Sequence, residues 1–287
     1  MPGQVCFIGR PAFINTKGHL NIMASKDKKG ANGKTPASKP ASSSAPANAE
    51  FPLFYSNPAP VDASTHGSLA LKPDFGFGFT KEINAVPINM IEIPQVCHYY
   101  PIAFAPDESA TPVAILGLRD KENLFVNNKG EWAQDAYIPA YIRRYPFIFS
   151  EVSGTDRLTL CVDMDDRFIL KDGPQKFFEK DGTPAALSKN ALEFCKSYHA
   201  AAQQSIIFSR ELAASGLLVE REAQIVVGSG RINFSGFRII DENKIATLDK
   251  ETLFTWHRKG FLPFIYAHLF SGLQWQRLSR LLQERMK

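Results

Sequence analysis

The sequence predicts an α+β fold in which antiparallel strands pack against several helices. The chain has 287 residues, of which 44% are hydrophobic and 22% charged, as is typical of a globular protein with a sizeable core. Strand-like and helix-like segments come in short groups and do not alternate strictly, which favours α+β over a doubly wound sheet. Helical periodicity predicts a long helix near the centre and an apolar helix at the C-terminal end.

The positive charge of the chain lies in its first 50 residues. The formal net charge is +4, but residues 1–50 carry seven basic and two acidic side chains, so the rest of the chain is close to neutral. Residues 25–50 contain no aromatic residue and no Val, Ile, Leu or Met. Such a segment buries too little apolar surface to offset its ordering entropy. We therefore expect residues 1–50 to be a disordered basic leader and residues 51–287 to form a single globular domain.

Two further expectations concern the beginning of the chain and its partners. Met23-Ala24-Ser25 would make an ordinary start, so we expect the true start to lie at Met23. Nucleic-acid binding needs clustered Lys and Arg, which the near-neutral globular part lacks. We expect no nucleic-acid partner, and the oligomeric state stays open.

The cysteines and the apolar runs predict a cytoplasmic protein without a membrane span. The four cysteines have neither C-x-x-C spacing nor zinc-ligand spacing, so we expect reduced, mostly buried thiols. No run approaches the ~18 apolar residues of a membrane-spanning helix. The first 24 residues also lack the apolar region of a secretory signal.

The first part of the globular region predicts an irregular segment followed by strands. Residues 51–80 are rich in proline, glycine and aromatic residues, and we expect their rings to hold the segment on the core. Apolar and β-branched runs separated by turn signals then predict antiparallel strands. A short helix over 137–145 is expected to stop at Pro146. The predicted strands cover residues 96–105, 112–118, 123–126, 147–152 and 157–164.

The long central helix is predicted from apolar residues that recur at helical spacing over 187–201. Thr183-Pro184 or Ser188 is expected to cap its start, and Gly216 is expected to end it. A hairpin follows, with strands over 223–227 and 232–240.

The C-terminal part is predicted to be helical. Asp249 is a good N-cap for a helix that ends at Gly260. A final helix is expected from about Pro263 to near the end of the chain. It is apolar around so much of its circumference that burial is expected, and an interfacial membrane anchor is the rival interpretation.

A cluster of acids follows the strand predicted over 157–164. Asp163, Asp165 and Asp166 are candidates for holding a metal or for acid–base chemistry. Arg167 breaks the dehalogenase pattern, however, and the glycine and glutamate of a calcium loop are missing. The simpler expectation is a solvated strand end with Arg157 and Arg167 as partners.

Other candidate binding residues are cationic or aromatic. His98 and Tyr100 are predicted to share one face of a strand. Arg143 and Arg144 end the short helix, where they would bind an anion or cap the helix carboxyl end. His268 is interpreted as a hydrogen-bonded core residue. The candidate binding residues are thus these two arginines, His98, Tyr100 and the three aspartates, and we expect no metal and no cofactor.

Two glycine-containing motifs lack the context that would give them a function. Asp74-Phe75-Gly76 is similar to a kinase element, and Gly76-Phe77-Gly78 to part of a phosphate loop. The remaining kinase motifs and the lysine of a phosphate loop do not accompany them. The sequence therefore shows no self-evident catalytic signature.

Several motifs keep a fixed order between about residues 85 and 285. They include His98-Tyr-Tyr-Pro-Ile-Ala-Phe, Pro112-Val-Ala-Ile-Leu-Gly-Leu, Tyr137-Ile-Pro-Ala-Tyr-Ile-Arg-Arg-Tyr-Pro-Phe, Leu160-Cys-Val-Asp and Ile265-Tyr-Ala-His-Leu. Their order and spacing resemble the SapC family of bacterial proteins. The resemblance implies a link to surface-layer gene loci and supplies no catalytic residues. A peptide-transporter permease shares the name, and the missing membrane span excludes it.

Three functional hypotheses follow. The first, which the sequence favours, is a non-catalytic accessory or binding protein of cell-envelope or surface-layer biology, with a protein of that system as its partner. The second is an enzyme of unrecognised type whose polar site combines His98, Arg143 and Arg144 with the acids of residues 163–166. The third is a structural surface component, which would need a non-standard export route. A pocket that joins the polar residues would favour the enzyme.

Overall fold

The computed structural model describes residues 6–7, 51–151, 157–227 and 230–287. All described strand pairs are antiparallel, and helices pack on the sheets. The predicted α+β class is therefore confirmed. Residues 1–5 and 8–50 lie outside the described residues, so the disorder expected for the leader stays a prediction there, while its residues Cys6–Phe7 form a strand that pairs with residues 150–151.

The strands form three sheets. The five-stranded sheet has the order β11-β12-β5-β6-β4, the four-stranded sheet β1-β7-β8-β2, and the small sheet β10-β3-β9. In chain order the strands are β1 (Cys6–Phe7), β2 (Pro58–Pro60), β3 (Ala70–Leu71), β4 (Ala85–Pro87), β5 (Ile102–Phe104), β6 (Pro112–Ile115), β7 (Phe147–Glu151), β8 (Leu158–Asp163), β9 (Ile169–Leu170), β10 (Gln175–Lys176), β11 (Leu218–Val227) and β12 (Gly230–Ile240).

The helices differ greatly in length, and α4 is the long central helix that the sequence predicted. They are α1 (Ala63–His66), α2 (Ile93–Val96), α3 (Ala140–Arg144), α4 (Ala186–Ala214), α5 (Glu242–Ile245), α6 (Lys250–Lys259), α7 (Leu262–Ser271) and α8 (Gln274–Arg285). Short 3₁₀ turns cover Gly78–Thr80 and Met90–Glu92.

The residues at helix ends predicted both ends of α6 but not the cap at the start of α4. The Asp249 carboxylate accepts a hydrogen bond from the Thr252 backbone N–H, and Gly260 ends α6 in the left-handed region with φ 69°. The caps predicted for the start of α4 are wrong, because its N-cap is Ala185, which has no side-chain cap, whereas Gly216 follows the end of the helix in the left-handed region, as predicted. The Ser188 hydroxyl instead donates to the Phe177 carbonyl at 2.7 Å.

The strand predicted over residues 96–105 is only partly correct. Its second half contains β5, but its first half is the end of α2 and a turn. Asn89 and Glu92 form a reciprocal capping box that starts a helical turn directly before α2. Ile93 and Val96 are then buried, so their β-branched side chains serve packing in a helix. Residues 123–126 likewise contribute one isolated β-bridge, from Val126 to Trp132, and no strand.

Two hydrophobic clusters form the interior, and α4 contributes to both. Its first half packs Ala191 and Cys195 into the cluster under the four-stranded sheet, while Phe208 and Leu212 lie in the larger cluster of the five-stranded sheet. Cys97, Cys161 and Cys195 are free and buried, as predicted. Phe54 of the irregular N-terminal segment packs against both clusters.

The C-terminal region is helical as predicted but is interrupted between α7 and α8. Leu278 and Leu282 of α8 are completely buried, and Ile265 of α7 is nearly so. Phe270 and Leu273, however, are 65% and 71% exposed. The burial expected for all apolar residues here is therefore wrong for these two side chains, because with Tyr266, which is also exposed, they lie at the spacing of one solvent-facing side of the helix.

His268 of α7 is a core residue, and its burial predicts a pH-dependent stability. Its ring lies 5.0 Å from that of Phe104, and desolvation lowers its pKa to about 4. Since histidine in the unfolded chain titrates near ~6.5, only the unfolded state gains a proton between these values. The titration of His268 therefore leaves the free energy of unfolding unchanged above that range. As the pH falls toward 4, it lowers the free energy of unfolding by about 3 kcal/mol.

The check is urea unfolding at pH 7.5 and pH 4.5. We expect the wild type to lose about 2–3 kcal/mol more than His268→Leu over this interval. The exposed His98 supplies the control, because His98→Gln should keep the wild-type pH dependence. If the wild type and His268→Leu lost the same free energy of unfolding between pH 7.5 and pH 4.5, the buried His268 would not be the source of the pH dependence.

Candidate functional site

The structure separates His98 from Tyr100. His98 is exposed on the turn after α2, whereas Tyr100 is fully buried, so the prediction that they share a strand face is wrong. The Tyr100 hydroxyl donates to the Tyr137 carbonyl at 2.5 Å and accepts from the Trp132 indole N–H at 3.2 Å. Tyr100 therefore holds the segment that leads into α3.

Asp163 is an internal anchor for the N-terminal segment. Its side chain is completely buried, and its carboxylate accepts from the backbone N–H groups of Ser56 at 3.0 Å and Asn57 at 2.6 Å. The Tyr145 hydroxyl donates to the other carboxylate oxygen at 2.9 Å. The expectation of a solvated strand end is wrong for Asp163, because residues 56–57 cover it.

The other two acids of the cluster differ from Asp163 and from each other in their surroundings. Asp165 pairs with Arg167, as predicted, and this hydrogen-bonded partner lowers the pKa of Asp165. Asp166 is exposed. Within the described part of the chain, no group of three or more His, Cys, Asp or Glu side chains is arranged to hold a metal.

Arg143 and Arg144 point to opposite environments, although they are neighbours in α3. Arg143 is exposed, and its guanidinium lies 5.5 Å from the Tyr137 ring and 5.3 Å from the Phe194 ring. Its Nε donates to the Ile138 carbonyl at 3.0 Å. Arg144 is 3% exposed and lies among tyrosine rings. The two arginines therefore do not form a joint anion site.

Glu92 is a buried acid that the sequence analysis missed. Its carboxylate accepts from the Asn89 backbone N–H at 2.9 Å, the Tyr137 hydroxyl at 2.9 Å and the Ala140 backbone N–H at 2.7 Å. It thus caps the start of α3 from another part of the chain. The signal that could have found it is the capping-box spacing between Asn89 and Glu92.

An aromatic groove of about 840 Å³ lies beside α3. We use the name "aromatic groove" for the cavity lined by Phe75, Phe77, Phe79, Trp132, Ala136, Ile138, Ile142, Arg143 and Tyr145 and edged by Lys72, Asp74, Lys129, Glu131, Gln134 and Gln175. Its rings contact one another: Phe79 stacks on Tyr145 at 4.5 Å, and Phe77 meets Trp132 edge-on at 5.7 Å. Arg143 is the single sequence-predicted site residue that lines it.

The glycines of the motif Asp74-Phe75-Gly76-Phe77-Gly78 build this groove. The Phe77 backbone N–H donates to the Gly130 carbonyl at 2.7 Å. Gly76 has φ 67°, and a Cβ there would lie 3.0 Å from the same carbonyl oxygen. Glycine is therefore needed for the close approach of two loops, and the motif has a structural role that differs from that of a phosphate loop.

The polar edge of the groove is nearly balanced in charge. Lys72, Lys129 and Arg143 are offset by Asp74 and Glu131, and two glutamines add neutral donors and acceptors. An apolar lining with a few polar groups at its edge is typical of a binding cavity. The groove is therefore suited to a ligand of mixed polarity and low net charge.

A second cleft of about 570 Å³ runs along α4. Tyr198, Ser205, Ser209 and Ile206 line its helical side. The Ser205 hydroxyl is engaged, because it accepts from the Met90 backbone N–H at 2.7 Å and donates to the Ala201 carbonyl. This cleft contains none of the candidate residues that the sequence singled out.

Comparisons with known proteins identify the family to which the chain belongs. None of the described helices has the length and apolar character needed to cross a membrane. No curated protein matches the sequence, and no solved structure matches the fold. The family model described as SapC matches residues 61–278, which is most of the chain. The chain therefore belongs to the SapC family.

Proposed function

We propose that this chain is a non-catalytic accessory or binding protein of cell-envelope or surface-layer biology that acts from the cytoplasm. The family membership supports the link through the resemblance noted in the sequence, which implies a connection with surface-layer gene loci. The observation that carries the binding role is the aromatic groove with its largely apolar, ring-rich lining and its nearly balanced charged edge. Its ligand would be a protein of the envelope or surface-layer system.

The shape and chemistry of the groove favour an extended protein segment as ligand. Aromatic-lined grooves bind extended, proline-containing segments, because such segments lose little conformational entropy on binding and pack their rings on aromatic faces. Phe75, Phe77 and Phe79 are each partly exposed and offer such faces. Gln134 and Gln175 supply donors and acceptors for the carbonyl and N–H groups of the segment.

The enzyme hypothesis has less structural support. It requires one pocket that joins His98, Arg143, Arg144 and the acids of residues 163–166. Arg143 faces the groove, Arg144 and Asp163 are buried in different hydrogen-bonding environments, and His98 is exposed elsewhere.

The test uses overlapping 12-residue synthetic peptides that cover the surface-layer proteins of the source bacterium. Binding to the full chain is measured by fluorescence anisotropy of labelled peptides. We expect at least one peptide to bind and Phe77→Ala to weaken it about tenfold or more, because a lost aromatic contact is worth about 1.5 kcal/mol or more with its buried area.

The matched control is Phe254→Ala, which removes a 60% exposed ring from α6, away from the groove. This variant should bind like the wild type, and thermal melting should show that both variants are folded. If no peptide binds, or if Phe77→Ala and the wild type bind equally, the groove is not the ligand site.

A further inference from the structure

The second cleft, which we name the α4 cleft, is built on one face of the long helix. Tyr198, Ala202, Ser205 and Ser209 line it and recur at helical spacing. Small side chains at three of these four positions leave a space of about 570 Å³, which is within the range of small-molecule sites. The α4 cleft and the aromatic groove have no lining residue in common, so they are separate cavities.

The opposite wall of the α4 cleft comes from the five-stranded sheet. Pro87 at the end of β4, the following Ile88 and Pro112 at the start of β6 are buried and line this wall. Glu108 and Arg210 lie at the exposed edge and carry opposite charges. An apolar wall with a balanced edge favours an uncharged ligand, because a charged ligand would lose its hydration without gaining a buried counter-charge.

Ser209 is a buried serine whose hydroxyl lacks a hydrogen-bond partner. The residue is 2% exposed, and among the described residues nothing donates to its Oγ or accepts from it. A serine inside a helix can donate to the carbonyl four residues earlier, as Ser205 does to Ala201 at 2.7 Å, but Ser209 does not. Since buried hydroxyls are normally hydrogen-bonded, the free donor of Ser209 indicates that a bound molecule supplies an acceptor.

The other serine and threonine hydroxyls of the α4 cleft already have partners. The Ser205 hydroxyl is engaged both as donor and as acceptor. The Ser109 hydroxyl donates to the Asp107 carboxylate at 2.5 Å, and the Thr111 hydroxyl lies 2.9 Å from that of Ser109. Among these hydroxyls, Ser209 is therefore the one that is left to donate to a ligand.

We propose that the α4 cleft binds a small uncharged carbonyl compound with an apolar body, whose oxygen accepts from the Ser209 hydroxyl. The carbonyl oxygen satisfies the free donor, and the apolar body packs against Ile88 and the two prolines of the sheet wall. Ile206 is 42% exposed at the edge of the cleft, and such a ligand would cover part of its side chain. The site goes beyond the proposed peptide binding and does not depend on it.

Ligand-observed fluorine-19 NMR of the full chain tests this site with two probes of similar shape. The ketone 4′-fluoroacetophenone meets each requirement of the proposed ligand, whereas 1-ethyl-4-fluorobenzene has a methylene group in place of the carbonyl and accepts no hydrogen bond. We expect Ser209→Ala to weaken ketone binding about three- to tenfold, the effect of one neutral hydrogen bond, and to leave hydrocarbon binding unchanged. Comparing both probes on both proteins isolates the contact between the carbonyl and the hydroxyl.

Two control variants place the probe in the α4 cleft. Ser197→Ala removes an exposed hydroxyl of α4 that does not line the cleft, so it should bind the ketone like the wild type. Phe77→Ala changes the aromatic groove and should also keep wild-type ketone affinity. Peptide binding at the groove can thus fail while the α4 cleft stands, and the reverse holds as well.

The thermal stability of Ser209→Ala without a probe is a readout that a purely structural hydroxyl would move. An unpartnered hydroxyl contributes no hydrogen bond to the free protein, and alanine favours a helix more than serine, so Tm should be equal or higher. A lower Tm, a ketone that does not bind the wild type, or a ketone affinity that depends on Phe77 overturns the proposal. Equal ketone affinities of Ser209→Ala and the wild type also overturn it, since a water molecule would then satisfy the hydroxyl.

Discussion

A chain that ends at Gly260 is expected to lose cooperative folding. The truncation removes α7 and α8, and with them the completely buried Leu278 and Leu282 and the nearly buried Ile265. Full burial of each such side chain stabilises the fold by about 1.5–3 kcal/mol, so the sum is comparable with the stability of a whole domain. Circular dichroism and thermal melting of the truncated protein are the measurements.

Polar contacts make the effect of this truncation larger. The Ser271 hydroxyl accepts from the backbone N–H of Ile102 in β5 at 3.0 Å. The Arg285 guanidinium donates to the carbonyls of Asn123 at 2.7 Å and Val126 at 3.0 Å. Buried groups that lose such partners cost about 1–3 kcal/mol each. The removal would therefore also weaken the segment after β6.

Point variants give a graded version of the same test. Leu282→Ala creates a cavity in the core and should cost about 2–5 kcal/mol. Leu273→Ala changes a side chain that is 71% exposed and should stay within about 0.5 kcal/mol of the wild type. Urea unfolding measures both values.

A chain truncated at Gly260 that melts cooperatively with an unchanged circular dichroism spectrum would contradict the burial of α7 and α8. Vesicle binding by the intact chain alone would then support the membrane-anchor interpretation.

The second large effect is expected for Asp163→Ala. The substitution leaves the backbone N–H groups of Ser56 and Asn57 and the Tyr145 hydroxyl without their acceptor in the interior. Each hydrogen bond to a charged group contributes about 1.5–3 kcal/mol, and these effects are not additive. We expect a loss of about 3–5 kcal/mol in the free energy of unfolding, measured in urea.

Two variants separate the anchoring role from a general effect of charge. Asp163→Asn keeps one acceptor oxygen and should lose less stability than Asp163→Ala. Asp166→Ala removes an exposed carboxylate from the same cluster and should change stability by about 0.5 kcal/mol or less. If Asp163→Ala and Asp166→Ala were equally stable, Asp163 would not be the anchor of the N-terminal segment.

The candidate site was less predictable from the sequence than the fold. The sequence singled out Arg143, which lines the aromatic groove, but it grouped this residue with Arg144, which lies in the interior. The Gly76 motif was recognised, yet its partner Gly130 is 54 positions away in the chain. Local patterns show which residue types are present, whereas a cavity depends on which loops meet.

The sequence by itself determined the α+β class, the long helix α4, the hairpin of β11 and β12 and the ends of α6. These features depend on contacts between residues close in the chain. An example is the start of α6, where the Asp249 carboxylate accepts a hydrogen bond from the Thr252 backbone N–H. The family resemblance also came from motif order alone, and the family match confirms it.

Only the tertiary structure decided which polar residues are buried and which cavities exist. Asp163 is buried because Ser56 and Asn57, more than a hundred positions earlier, lie across it. Arg144 is enclosed because Tyr55 and Tyr198 approach it from the N-terminal segment and from α4. Hydrophobic periodicity reports the face of a helix or strand, but the environment of a charged group is set by long-range packing, which local spacing does not encode.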